Sequence, residues 1–143
     1  MLKILLAVDG SESAVRATRK LVEVLPFYKE APQIELVNVR QPVPLVGRSG
    51  PVVTHDMVQL YYKEESERAL APSAQVLDDA GVRYAVRVLV GDIPQTIAQH
   101  ALQSGCDMIY MGTRGMTGIA NLVLGSIATK VLHLAEVPVV LVR

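Results

Sequence analysis

The stretch Gly112–Ser126, GTRGMTGIANLVLGS, holds four glycines in fifteen residues. A glycine has no Cβ, so at Gly112 and Gly115 successive peptide N–H groups can converge on one anion. Gly125-Ser126 stands where a helix-like run, IATKVLHLAEV, is about to begin. Unpaired first-turn amides and the helix dipole favour negative charge at such a point. Ser126 adds a hydroxyl donor, and Arg114 adds a planar, charged fork suited to phosphate oxygens. The chemistry indicated is phosphate binding at two corners, joined by the insert Met116 to Leu124. A glycine-rich connection that merely turns the chain has the same composition, and composition alone leaves both readings open. Two familiar phosphate motifs are excluded. No Gly-Lys-Ser/Thr occurs, so this is not a Walker A loop. A dinucleotide fingerprint should open the first helix, where the chain has only DGSES.

A second polar corner, Asp9-Gly10, ends the apolar run LKILLAV. Asp9 can face a ligand or cap the following helix, and Ser11 can cap it equally well. The other reactive residue types form no constellation. His55, His100 and His133 show no metal-ligand spacing with cysteine or carboxylates and read as surface or partly buried side chains. Cys106 is the one cysteine, so no internal disulfide forms; it reads as a thiol at a strand entrance. Met57, Met108 and Met116 read as core filler, with Met111 set apart by its place before Gly112.

These corners need a frame to hold them. The chain has 143 residues, half of them hydrophobic, which suits one domain spanning 1–143. Lys plus Arg and Asp plus Glu number 14 each, so no basic excess exists to bind nucleic acid or a membrane surface. No stretch approaches the roughly 20 apolar residues of a membrane span. The apolar run at the N-terminus is too short for a secretion signal, and Asp9 interrupts it. A cytoplasmic protein is expected.

Leu2–Val8 and Ile34–Val39 read as buried strands. Between them Val15, Thr18, Leu21, Val22 and Leu25 recur with helical spacing up to Pro26. Arg40–Pro51, with three prolines and two glycines, is a long loop and a candidate lid. A helix is expected from near Thr54 to about Ala80, with a kink or break at Pro72. The pairs Glu64–Arg68 and Lys63–Glu67 suggest a solvated face on it. Arg83–Val90 alternates and carries two arginines on one face, as a partly wet edge strand would. Asp92 caps a short helix with Pro94 in its first turn, running to about Leu102. Asp107–Met111 is the fourth strand, Gly125–Ala135 a helix, and Val137–Val142 the last strand. Strict alternation of strand and helix predicts an α/β domain with a parallel sheet and helices on both faces. If the first and fourth strands are neighbours, both polar corners line one crevice at the carboxyl ends of the strands.

Gly112-x2-Gly115-x9-Gly125-Ser126 resembles the G-2x-G-9x-G-S/T signature of the ATP-binding branch of the universal stress protein family. The opening ILLAVDGSESA and the ending VPVVLVR resemble that family's first and final strands, so the likeness covers essentially the whole chain. It implies an open five-stranded parallel sheet in the order 3-2-1-4-5, of the Rossmann-like, adenine nucleotide alpha hydrolase-like kind. It also implies roles. Asp9 would contact the adenosine, and Val39 the adenine through its backbone. Met111 and Gly112 would lie along the ribose and first phosphate. Gly115, Gly125, Ser126 and the backbone of Ile127 would hold the phosphates. Arg114 stands where the family varies, so its role rests on its chemistry alone; Gly118 lies outside the signature. The expected function is that of an ATP-binding regulatory module of the stress response, with any Mg or Mn held through the phosphates. Slow ATP hydrolysis or phosphotransfer at the same site is the alternative, weakened by the lack of an acid or lysine near the glycine loop in sequence. A subunit of the same fold that binds no nucleotide is a third reading, against which the intact glycines speak. The uncharged last strand, at a sheet edge in this order, is expected to pair antiparallel with its copy in a homodimer.

Overall fold

The computed structural model describes residues 1–44, 53–115 and 124–143. The elements are β1 (Lys3–Ala7), α1 (Glu12–Val24), a 3₁₀ turn (Leu25–Phe27), β2 (Gln33–Arg40), α2 (His55–Asp79), β3 (Ala85–Val90), α3 (Ile93–Gln103), β4 (Met108–Gly112), α4 (Ser126–Leu134) and β5 (Val139–Val142). All strands are parallel, and their order across the sheet is β3-β2-β1-β4-β5. The expected fold and its strand order are therefore present.

The strands alternate between two cores, because successive strand residues point to opposite faces. Ile4, Leu6, Ile34, Leu36 and Tyr110 pack with Leu21 of α1 and with Leu70 and Leu77 of α2. Leu5, Ala7, Val37, Val39, Ile109 and Met111 pack with Ile97 of α3 and with Ala128 and Val131 of α4. Each fully buried Leu or Ile contributes about 1.5–3 kcal/mol relative to exposure. Burial on both faces explains why the central strands read as continuous apolar runs.

Pro72 does not break α2, which runs unbroken from His55 to Asp79. A proline there removes one hydrogen bond and strains the turn. The buried residues Ala69, Leu70, Ser73 and Leu77 hold the helix on either side of it, and Thr18 Oγ1 donates to Ser73 Oγ at 2.8 Å. The Arg68 carbonyl, which would have accepted from residue 72, lies beside Gly10. Gly10 has φ +85, and a Cβ built there would stand 3.1 Å from Ala69 Cα and 3.5 Å from the Arg68 oxygen. A bare α-carbon is thus required where α1's entry meets α2. The expected surface pairs on α2 are replaced by one between Arg68 and Glu65 at 3.0 Å, because i,i+3 neighbours compete with i,i+4 ones.

β3 pairs with β2 alone, as expected for an edge strand. The strand begins at Ala85, so Arg83 of the expected pair lies before it, and Arg87 reaches a buried carboxylate. Glu35, 5 % exposed on β2, receives Lys3 Nζ at 3.0 Å, His100 Nε2 at 2.9 Å and Arg87 Nε at 3.8 Å. Burial alone would raise the Glu35 pKa. The hydrogen bonds from His100 and Lys3, with their charges, outweigh it and hold the carboxyl below its ordinary value of 4.5. Nearby, burial pushes the Cys106 thiol up, as an inert structural cysteine requires. A depressed carboxylate stabilises the fold fully above its unfolded pKa, and that stability is lost as pH falls through the lower native value. Glu35→Gln is therefore expected to cost about 2 kcal/mol at pH 7, since hydrogen bonds to charged groups contribute about 1.5–3 kcal/mol. It should also flatten the fall in stability below pH 4.5. Urea unfolding at several pH values measures both; an unchanged acid slope would contradict the assignment.

Candidate functional site

The strand order reverses direction between β1 and β4. β1 leads into α1 on one face of the sheet, and β4 leads towards α4 on the other. The carboxyl ends of the two strands part there, and a crevice of about 530 Å³ opens. Asp9, Val39, Met111, Gly112, Arg114, Gly115, Gly125, Ser126 and Ile127 all line it. The sheet thus brings together every residue that the sequence singled out for a site. The insert residues 116–123, including Gly118, and residues 45–51 of the candidate lid lie outside the described residues.

Val37, Val39, Ile93 and Ile97 give the crevice an apolar wall, with Asn38 and Arg40 lining it alongside. Ile93 and Ile97 on α3 carry no sequence signal beyond helical periodicity and were not singled out. Nor was Asn38, although a polar residue inside IELVNV is a signal. Its Nδ2 donates to the Val8 carbonyl at 2.8 Å. The register of β1 with β2 stops at Ala7↔Val37, whereas β2 continues to Arg40. Alternate residues of a parallel strand bond to opposite neighbours. The Val37 carbonyl accepts from Val8 on the β1 side, and the Arg40 carbonyl accepts from Gly91 on the β3 side. Val39, two residues after Val37, therefore turns its peptide groups towards the β1 side, beyond the end of β1. Asn38 caps Val8 and closes the ladder there.

Polar groups line the crevice too. Ser11 proves to be the α1 cap, accepting from the Ala14 N–H at 3.2 Å. Asp9 Oδ1 accepts from the Ser11 N–H at 2.9 Å, which leaves Oδ2 directed towards Gly115: a Cβ on Gly115 would stand 3.2 Å from it. The glycine loop has no acid near it in sequence, and the fold brings Asp9 to it from the end of β1. Among the described residues no group of three or more His, Cys, Asp or Glu is arranged to hold a metal ion.

The glycines divide by role. A Cβ on Gly112 would stand 2.7 Å from the Ser13 carbonyl carbon and oxygen. This glycine lets α1 press against the end of β4, rather than clearing a path for an anion. Arg114 N–H then donates to Ser13 Oγ at 3.2 Å. The Gly125 N–H is also engaged, donating to the Thr113 carbonyl at 2.6 Å, so it is not among the free donors. Those begin one residue later. α1, α2 and α3 each have a side-chain cap, from Ser11, Thr54 and Asp92. The α4 N-cap is Gly125, and no side chain caps that helix. Ser126 and Ile127, whose amides open this first turn, line the crevice, and among the described residues no side chain caps them.

Comparison with known proteins gives one consistent result. The profile described as "Universal stress protein family" matches residues 1–143. Universal stress protein MJ0531 of Methanocaldococcus jannaschii is 30% identical over 142 residues, covering 99% of this chain and 81% of that one. A universal stress protein of Thermus aquaticus is 33% identical over 141 residues, covering 98% and 97%. Among solved structures, UspA of Lactobacillus plantarum superposes with a TM-score of 0.79 at 19% identity, covering 99% and 97% of the two chains. A universal stress protein in complex with cAMP gives 0.68 at 20% identity, covering 99% and 97%. An Arabidopsis thaliana family protein with AMP bound gives 0.66 at 17% identity, covering 99% and 91%.

Because the Cβ position of Gly112 is filled by backbone, Gly112→Ala is expected to destabilise the fold by about 1–3 kcal/mol, the usual cost of overpacking. Thermal melting measures it; a melting temperature equal to that of the native chain would show that Ser13 yields freely.

Proposed function

The chain belongs to the universal stress protein family, and on that premise we propose that it is an ATP-binding member, a regulatory module whose nucleotide state alters its shape or partners. The observation that carries this reading is the uncapped N-terminus of α4, opening on the same crevice as an apolar slot. A purine fits against the wall of Val37, Val39, Ile93 and Ile97, with the Val39 peptide able to bond its edge. Met111 and Gly112 lie along the path to the phosphates, and Asp9 reaches the adenosine. Gly115, with no side chain, lets the phosphates approach. Ser126, the Ile127 amide and Arg114 supply donors and positive charge. Gly125 serves by letting the loop close: its N–H bonds the Thr113 carbonyl, and a Cβ there would press on the Thr113 and Arg114 backbone. The relatives bound to cAMP and AMP support an adenine nucleotide as the ligand. Mg or Mn, where present, would be held through the phosphates and water. The family supports a role in stress response and a cytoplasmic location.

Slow hydrolysis is a second reading, favoured by the free oxygen of Asp9 beside Gly115. One titration separates the two. ATP, ADP, AMP and GTP are titrated calorimetrically, and ADP release is then followed for hours. Binding of ATP without release is the expected result; steady release above that of a Gly115→Val control favours the enzyme. The valine should push against Asp9 and close the phosphate approach, lowering ATP affinity at least tenfold. Native-like ATP affinity in that variant would show the site assignment to be wrong.

We further propose a homodimer through Val137–Val142. β5 lies at the sheet edge and pairs with β4 alone, and its four residues are all only half-buried. Such an edge invites a strand from a second copy. Light scattering after size exclusion should report about twice 15.5 kDa; a single species at 15.5 kDa removes the dimer.

A further inference from the structure

One face of β2 and one face of α3 meet along a seam on the crevice side of the sheet. Glu35, Val37 and Val39 alternate along β2 and so share that face. Ile93, Ile97 and His100 recur along α3 with the spacing of one helix face. Towards the amino end of β2 the seam is closed, by His100 Nε2 against Glu35 Oε2 at 2.9 Å. Towards the carboxyl end it is open, and Val37, Val39, Ile93 and Ile97 line the crevice. We infer that His100 and Glu35 are positioning residues for this slot: their bond sets the spacing of α3 from β2, and that spacing decides how broad a nucleobase the slot accepts. The inference rests on the nucleotide-binding reading above and adds to it the basis of selectivity for base size.

Where the seam borders open space, apolar contact leaves the spacing undetermined, because it is non-directional. A hydrogen bond is directional and holds its partners within a narrow range of distance. The bond here is also shielded from water, with the Glu35 side chain 6% and the His100 side chain 19% exposed. A second tie acts at the same end. Lys3 Nζ reaches Glu35 Oε1 at 3.0 Å and the carbonyl of Ser104, the C-cap of α3, at 2.9 Å. The end of α3 away from the crevice is therefore fixed twice. Ile97 and Ile93 stand one and two turns from that fixed end, so a small tilt about it moves both relative to Val37 and Val39.

The pair is a choice of this sequence rather than a demand of the fold. Glu35 interrupts a face on which Leu5, Ala7, Val37, Val39 and Ile109 are all apolar. An aliphatic pair at 35 and 100 would fill the same space without the cost of desolvating a carboxylate. What it would not supply is a fixed separation. Removing His100 alone leaves the carboxylate with Lys3 at 3.0 Å and Arg87 at 3.8 Å, so the chain keeps its fold while the tie to the middle of α3 is lost.

The test compares AMP with etheno-AMP, whose purine carries an additional fused ring, by calorimetry. It uses the native chain, His100→Leu, His100→Gln, Glu35→Gln and Thr18→Ala, each first checked for folding by circular dichroism. The native chain is expected to favour AMP. In His100→Leu that preference should fall about tenfold, the scale on which a pocket distinguishes ligands of different size. His100→Gln keeps a donor of similar reach and should restore most of it. Glu35→Gln weakens the same bond and should lower the preference in the same sense, which decides the matter even if the leucine variant does not fold. Thr18→Ala removes a hydrogen bond from the other core and should leave the preference unchanged. Equal native affinity for the two nucleotides, a native preference in both His100→Leu and Glu35→Gln, or an equal loss in Thr18→Ala would overturn the positioning role while leaving nucleotide binding intact. A native chain that binds neither nucleotide would overturn the nucleotide reading, and the positioning role with it.

Discussion

The constraint on which the molecule depends is the divergence of β1 and β4. The two strands are hydrogen-bonded neighbours, Ile4 to Met108 through Leu6 to Tyr110. Their following segments leave for opposite faces of the sheet, because both faces of a parallel sheet must be covered. Among the described residues, no backbone fills the gap between the departing segments. A crevice at the carboxyl ends is therefore a consequence of the topology, and the side chains decide only what the crevice accepts. Met111, Gly112 and Asp9 are placed in it by being the last residues of, or the first beyond, those two strands.

Around that gap, structural and chemical demands fall on adjacent residues of the same type. Gly10 and Gly112 both lack a side chain because another backbone occupies the space: Ala69 of α2 in one case, Ser13 of α1 in the other. Gly125 joins them, with the Thr113 carbonyl oxygen 3.3 Å and Arg114 Cα 3.4 Å from a Cβ built there; only Gly115 is bare at the crevice itself, with the Asp9 carboxylate beyond it. Gly10 and Gly112 pull α1 and α2 tight against the strand ends. Gly115 profits from that tightness, since α1 can then hold Asp9 against Gly115 and Ser13 against the Arg114 amide. Packing thus positions the chemistry, and Gly115 serves only with the other glycines in place.

The amino ends of the strands are built in the opposite way. There the groups are closed on one another: Glu35 with Lys3, Arg87 and His100, and the Lys3 amide with Asp107 at 2.7 Å. A buried carboxylate with three basic partners ties β1, β2, β3 and α3 together. Leaving out Lys3 or His100, the partners within 3.0 Å, would deprive the buried carboxylate of a hydrogen bond. α3 links the two ends, since His100 holds it to this network while Ile93 and Ile97, on preceding turns, wall the crevice. The rigid end supports the open one.

Much of this was legible in the residues. Continuous apolar runs gave the strands, Ser11, Thr54 and Asp92 marked helix starts, and the glycine spacing marked the site. These are local signals, set by hydrogen bonding and sterics within a few residues. The strand order came from resemblance, and the fold bears it out. Hidden from local reading was everything that depends on distant segments meeting. The unbroken α2 at Pro72 relies on packing on either side of it. Asp9's reach to Gly115 depends on β1 lying beside β4. The burial of Glu35 depends on basic side chains from three other elements, Lys3, Arg87 and His100. The sequence by itself determined which segments become strands and helices and which residues can bind an anion. Only the tertiary structure decided which glycines make room for ligand and which for backbone, because a missing Cβ has no meaning until its neighbour is known.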